Sequence, residues 1–287
     1  MNSKASPVSR GALRVGRALH KRFSGFDDAR FDGETCPACG QNAQMLMRGV
    51  LWPELVLQWE LGPAWANWID QREGLRCSHC RSNLRSRHLA LCIVNSMNAM
   101  IGTNAKTLPE LCADPLMQTL QVAEINAAGD LHQTLQQLPR LRYSEFGSSV
   151  AGIPSEDLLN LSYPNESFDL AITSDVLEHV PDAARALHEI ARILKPGGLH
   201  VFSVPVVWSK PCSRQRAEIR NGTIVHKLPP SHHGAEDANK SDFLVCQEFG
   251  RDFVTTCGQA GFKVQLVADE RNPSLVTFVA TRSGGDR

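Results

Sequence analysis

Apolar positions along this chain change period several times, and each change marks an element. Phe168 to Thr173 is a short apolar run with β-branched residues and polar borders, the pattern of a buried strand. Past Pro181-Asp182 the apolar positions Ala184, Leu187, Ile190, Ala191 and Leu194 return at helical spacing. Lys195-Pro196-Gly197-Gly198 ends that helix, because proline cannot continue it and glycine accepts the reversal. Leu199 to Val204 reads as a second strand. A strand–helix–strand unit of this kind predicts a parallel sheet with ligands at the carboxyl ends of its strands. Asp175, Glu178 and His179 stand at such an end.

The same reading extends both ways. Leu120 to Ile125 predicts a strand followed by the small-residue turn Asn126-Ala127-Ala128-Gly129-Asp130, and Arg142 to Phe146 predicts the next strand. Downstream, Glu248 to Val254 opens a helix, Ala260-Gly261 stops it, Phe262-Lys263-Val264 begins a strand, and Val276 to Ala280 is a closing strand. Between lies an insertion, 206–245, rich in proline, histidine and charge. Loops that long inside a compact domain serve as lids or stay disordered. Leu84, His88, Leu91, Cys92, Asn95 and Met100 predict a helix linking an N-terminal module to the main domain.

Composition narrows the class. With 287 residues the chain holds one full α/β domain and a smaller module. Hydrophobic content of 42% and charged content of 21% are those of an ordinary globular protein. The 30 basic and 30 acidic residues cancel, which removes any strong overall field for nucleic acid while leaving local patches open. No apolar run approaches the roughly 20 residues that cross a bilayer. The first stretch carries Lys4, Arg10, Arg14, Arg17, Lys21 and Arg22 without an acidic residue. It lacks the apolar core of a secretory signal, and it reads as a basic tail over 1–33, with a transit peptide the compositional alternative. A cytoplasmic setting is the default expectation.

Four of the nine cysteines form two pairs, Cys36-Pro-Ala-Cys39 and Cys77-Ser-His-Cys80. Each C-x2-C turn aims two sulfurs at one tetrahedral ion, so the two predict a four-thiolate structural zinc within a module over 34–105. Gly40 suits the tight turn after the first pair. Trp52, Trp59, Trp65 and Trp68 supply apolar bulk between the pairs. Buried thiols and two disulfides are the alternatives; a reducing compartment disfavours the disulfides. Arg81, Arg85 and Arg87 after the second pair read as a solvated basic face or a patch for an anionic partner.

The ordered set FDLAITSDVLEHVPD and ALHEIARILKPGGLHVFSVP resembles the class I S-adenosylmethionine-dependent methyltransferases of the type-11-like group. The resemblance implies a seven-stranded, mostly parallel Rossmann-like sheet over 106–287, an enzyme, and S-adenosyl-L-methionine as its cofactor. It further implies that Glu124 and the turn of Asn126, Ala128 and Gly129 lie by the methionine part. Glu145 would lie by the ribose, Asp157 and Leu158 by the adenine, and Ser174 would close the pocket. Two glycines of the family's first turn are replaced here by Asn126 and Ala128. Asn tolerates left-handed backbone and Ala is small, so the turn can survive.

For the transfer itself His179 is the candidate base, with Asp175 or Glu178 orienting it. Asp175-x-x-Glu178-His179 also resembles a set that holds a divalent ion in some quinone O-methyltransferases. Arg216, His226, His232 and His233 of the insertion are candidate acceptor contacts. The paired cysteines, the SEF strand and the PPSHHG insertion together resemble methyltransferases of sugars and other small metabolites. Three functions stay open on these residues: an O-methyltransferase of a small-molecule or glycan acceptor, a nucleic-acid methyltransferase using the cysteine module, and a binding protein without catalysis.

Overall fold

The structure is a computed structural model and describes residues 33–51, 53–232 and 244–284. Trp52 and, apart from Gly33, the basic tail lie outside the described residues. The N-terminal module begins with β1 (Met45–Met47), α1 (Pro53–Gln58), α2 (Pro63–Gly74) and β2 (Leu75–Cys77), and β1 pairs antiparallel with β2. Both cysteine turns have the same shape. After Cys39, Gly40 takes a φ of 75° and its amide donates to the Cys36 carbonyl at 2.8 Å. After Cys80, Arg81 takes a φ of 68° and donates to the Cys77 carbonyl at 3.0 Å. The linking helix α3 (Leu84–Ile101) is capped by Asn83, whose side chain accepts the Ser86 amide, and ends on Gly102 at φ 73°. Helix α4 (Leu108–Ala113) follows.

The main domain then runs β3 (Val122–Ile125), α5 (His132–Leu135), β4 (Leu141–Ser144), β5 (Phe168–Ser174), α6 (Ala183–Ile193) and β6 (Leu194–Ser203). In the insertion come β7 (Arg214–Gln215), β8 (Ala217–Arg220) and β9 (Thr223–His226), and just past it β10 (Gln247–Glu248). The chain closes with α7 (Phe253–Gln259), β11 (Phe262–Asp269) and β12 (Asn272–Arg282). The central sheet has six strands in the order β11-β12-β6-β5-β3-β4. Strands β4, β3, β5 and β6 pair in parallel, and β12 is antiparallel to both its neighbours.

The expected seventh strand is reduced to a single parallel bridge, Glu145 to Ser155, outside β4. Pro154 lacks the amide that would extend the ladder, although its carbonyl still accepts the Glu145 amide at 3.1 Å. The turn Lys195-Pro196-Gly197-Gly198 also differs from a simple helix stop. Its residues are a bulge within β6, where pairing steps from Phe168–Leu194 to Leu170–Leu199. A side chain at Gly198 would meet the Lys195 carbonyl at 2.9 Å, and Gly197 sits at φ 79°, so both glycines are required.

Helices cover both sheet faces. On one, α6 and α7 pack on Ala123, Ile125, Ala171, Phe202 and Phe278. Asp182 caps α6 by accepting the Arg185 amide, at the start the sequence pattern predicts. On the other face, α3 and α4 share one apolar cluster with Val122, Leu170, Ile172 and Val201. Cys36, Ala38 and Cys77 belong to that same cluster, beside Ala128, Leu131 and Leu135. The cysteine module is therefore built into the core under the first strand's turn.

Candidate active site

The site is assembled at the carboxyl ends of the parallel strands. At the end of β3, Glu124 is fully buried; one oxygen accepts the Ala128 amide at 2.8 Å and the other pairs with His132 Nδ1 at 2.7 Å. Burial pushes its carboxyl up, against these bonds. Asn126 takes the left-handed backbone, φ 57°, that glycine would otherwise supply, and Gly129 does so at φ 60°. The Asn126 side chain accepts the Phe146 amide at 3.1 Å. Ala128 is completely buried, its methyl part of the core beneath the turn. The glycine-poor turn keeps its bend because Asn accepts the strained position and a core-packed methyl fills the other.

Glu145, just past β4, accepts the Ala127 amide at 3.0 Å and the Tyr143 hydroxyl. Its own carbonyl accepts the Glu156 amide. Glu156 is buried and receives the Ser162 amide at 2.8 Å, whereas the neighbouring Asp157 is exposed and accepts the Leu159 amide at 2.9 Å. Leu158 is buried. Glu124 and Glu145, from neighbouring strands, thus both hold amides of the turn after β3, while Asp157 lies in the following loop.

At the end of β5 stands a constellation that sequence reasoning missed. Asp175, at φ 51°, accepts from Arg72 at 2.9 and 3.0 Å, one bond to each oxygen, and from Ser203 Oγ at 2.8 Å. Arg85 Nε lies 3.2 Å from the same carboxylate, and its Nη1 donates to Ser174 Oγ. Glu73 pairs with both guanidiniums. Burial alone would raise the Asp175 carboxyl, but the charges of Arg72 and Arg85 and the bonds from Arg72 and Ser203 hold it well below the usual carboxylate range. Arg85 is only 18% exposed and Arg87 is buried, its guanidinium reaching the Met45 sulfur. Of the run read as a solvated basic face, Arg81 alone is exposed. The Arg-Ser-Asn-Leu-Arg run carried a visible signal for Arg85; Arg72 and Glu73 carried none.

Beyond β5, Glu178 is fully buried; burial and the Asp175 charge push its carboxyl well up. His179 Nδ1 donates to the Leu244 carbonyl at 3.0 Å, which fixes the tautomer and makes Nε2 the basic nitrogen, 3.8 Å from Glu178. Burial lowers its pKa. The insertion is tied down here too, since the Cys246 amide donates to the Glu178 carbonyl. Arg216 pairs with Glu248 at 3.0 Å and donates to the Pro229 carbonyl. His226 is exposed on β9, His232 bridges to Leu244, and His233 lies outside the described residues. From the other side Trp59 donates to Ser231 at 3.1 Å, so module and insertion meet. A cleft of about 360 Å³ lies elsewhere, lined by Pro181, Asp182, Gln215, Gln247, Phe249 and Phe253, and none of these carboxylates lines it.

Two metal sets can be tested. The four cysteine sulfurs lie within 4.8 Å of one another, with Cys36–Cys80 and Cys39–Cys77 both at 3.9 Å. Sulfurs about 2.3 Å from a tetrahedral zinc stand about 3.8 Å apart, so the donor set fits zinc. The set Asp175, Glu178 and His179 does not fit a divalent ion. The three do not come into metal-ligand geometry with one another, and both Asp175 oxygens already accept from guanidinium and hydroxyl donors. Among the described residues the cysteine group is the one with metal-ligand geometry.

Residues 111–202 match the family described as methyltransferase domain, and that span holds the turn after β3, Glu145, Asp157 and Asp175 to His179. This part of the chain is similar to a methyltransferase domain. The ubiquinone biosynthesis O-methyltransferase of Alkalilimnicola ehrlichii is 40% identical to the chain over 76 residues, 26% of this chain and 30% of that protein. The 2-methyl-6-phytyl-1,4-hydroquinone methyltransferase of Synechocystis is 36% identical over 70 residues, 21% of this chain and 22% of that protein. The chain therefore spans less than a third of either curated relative's length. A solved S-adenosylmethionine-dependent methyltransferase from Mesorhizobium loti aligns at 19% identity and TM-score 0.38, over 57% of this chain and 90% of that one. Arg72, Arg85, the four cysteines and the insertion all lie outside the methyltransferase-domain match. No helix among the described residues is long and apolar enough to cross a membrane.

Proposed function

We propose that the protein is an S-adenosylmethionine-dependent methyltransferase acting on an oxygen of a small molecule or sugar. The observation that carries this reading is the bonding of the turn after β3. Glu124 and Glu145 hold its amides from two strand ends, within a span that matches a methyltransferase domain. Glu145 then offers its outer oxygen to the ribose hydroxyls, Asp157 and Leu158 flank the adenine, and Ser174 closes the methionine end. When bound, the cofactor supplies an electrophilic methyl group and a leaving thioether that needs no acid.

The chain's own part is to orient and to take a proton. His179 Nε2 accepts the acceptor hydroxyl's proton, and the Leu244 carbonyl keeps the ring in the tautomer that makes this possible. Asp175, held ionised by Arg72, serves as an anchor and not as the base. Holding donor and acceptor in line supplies most of the acceleration. Arg216, His226 and His232 of the insertion contact the acceptor. Structural zinc on Cys36, Cys39, Cys77 and Cys80 holds the module.

The ubiquinone biosynthesis O-methyltransferase and the hydroquinone methyltransferase among the relatives support a small-molecule acceptor. The nucleic-acid reading loses its motive, because Arg85 and Arg87 turn inward. Calorimetric titration of the full chain with S-adenosylmethionine tests the proposal. Saturable one-to-one binding is expected; no heat at millimolar cofactor overturns it.

A further inference from the structure

We propose that Arg72 is a positioning residue of the methyl-transfer site, which makes the four-cysteine module a working part of that site. This rests on the methyltransferase reading. Arg72 lies in the last turn of α2, outside the methyltransferase-domain match, yet its guanidinium closes on both oxygens of Asp175, 103 residues away. The two side chains are 8% and 12% exposed. A pair so placed is poor support for stability as such, since lost hydration offsets the attraction and an apolar pair would join the module as firmly. What a two-pronged guanidinium contributes is direction: it fixes the rotation of a carboxylate as a single-point cation cannot. The carboxylate it fixes sits on left-handed backbone at the end of β5, a conformation that persists when its surroundings over-determine it.

Charge balance points the same way. Arg72 and Arg85 face Glu73 and Asp175, so the cluster is neutral and does not repel a sulfonium cation. A divalent ion on Asp175 has no place left. The module delivers the positive charge covalently, from a helix whose Trp68 carbonyl is held by Asn272 and Ser274 of β12.

The groups facing Asp175 are Arg72 and Glu73 from α2, Arg85 from α3, Ser203 from β6, and Glu178 and His179 after β5. Without Arg72, one cation and one neutralising fork are gone, and Asp175 both turns and gains a proton more readily. Purified full-length wild type, Arg72→Met and Arg72→Lys are titrated with S-adenosylhomocysteine across roughly pH 5 to 8. Zinc content and near-ultraviolet circular dichroism report the fold. Wild type should bind with little pH dependence. Arg72→Met should bind at least about tenfold more weakly and lose affinity further towards acid, and Arg72→Lys should restore the flat pH profile but only part of the affinity. A folded Arg72→Met with wild-type affinity and a flat profile overturns the role. If Arg72→Met does not fold, wild-type affinity in Arg72→Lys overturns it instead. Failure of wild type to bind removes the methyltransferase reading and this role together.

Discussion

The amide of Ala127 donates to Glu145 across 3.0 Å, tying the turn after β3 to the end of β4. One carboxylate oxygen is thereby spent on fixing the turn while the residue remains half-exposed at the strand end. Glu145→Ala should therefore weaken S-adenosylhomocysteine binding at least about tenfold, because it removes both the turn's tether and the ribose acceptor. Calorimetry on the folded variant checks this; unchanged affinity contradicts the assigned position.

Asn126 holds a left-handed backbone and accepts the Phe146 amide. Asn126→Val should cost about 1–2 kcal/mol or more, since a β-branched side chain is strained there. Asn126→Gly should cost less, losing a hydrogen bond but keeping the backbone state. Urea denaturation of the pair gives the order, and equal loss in both would assign the cost to the hydrogen bond alone.

Much of this was legible in the sequence, and the misses have physical causes. The strand over Phe168–Ser174 and the helix after Pro181-Asp182 announce themselves through period and cap. The seventh strand failed because Pro154 removes a ladder donor, a rule readable in advance. The hairpin of β8 and β9 was readable too: Asn221-Gly222, at φ 50° and 76°, is the favoured two-residue turn between strands. Arg85 and Arg87 looked like a solvated face because charge on a helix does not say which side meets the core. Nothing local marks Arg72, whose partner lies more than a hundred residues on; only the fold brings them together.

The cysteine cluster shares its core with Ala128 and Leu131 of the turn after β3. Native protein should carry one zinc per chain, and Cys77→Ser should fail to fold. Stripping the metal should lower the melting temperature and S-adenosylhomocysteine affinity together, with readdition of zinc restoring both. Elemental analysis of native protein without metal contradicts the zinc assignment, and a stripped protein of unaltered affinity contradicts the coupling.

Glu178 sets a pH dependence of stability with a definite sign. Its carboxyl is raised above the ordinary value of 4.5 by burial and the Asp175 charge, so the folded state holds a proton that the unfolded state releases. That contribution is complete below about pH 4 and is lost as pH rises towards the folded value, at up to about 1.4 kcal/mol per pH unit. Asp175 acts oppositely: its lowered pKa stabilises above the ordinary value of 3.8 and fails in acid. Glu178→Gln should thus raise the melting temperature at pH 7 and leave it unaltered near pH 4. A melting temperature lowered equally at both values would contradict the raised carboxyl.

Crystals of the full chain grown with S-adenosylhomocysteine test the central claim most directly. The ribose hydroxyls should lie within hydrogen-bond reach of Glu145, the adenine beside Asp157 and Leu158, and the sulfur towards Ser174 and His179. A well-ordered ligand bound away from these strand ends, or none at saturating concentration, would contradict the account.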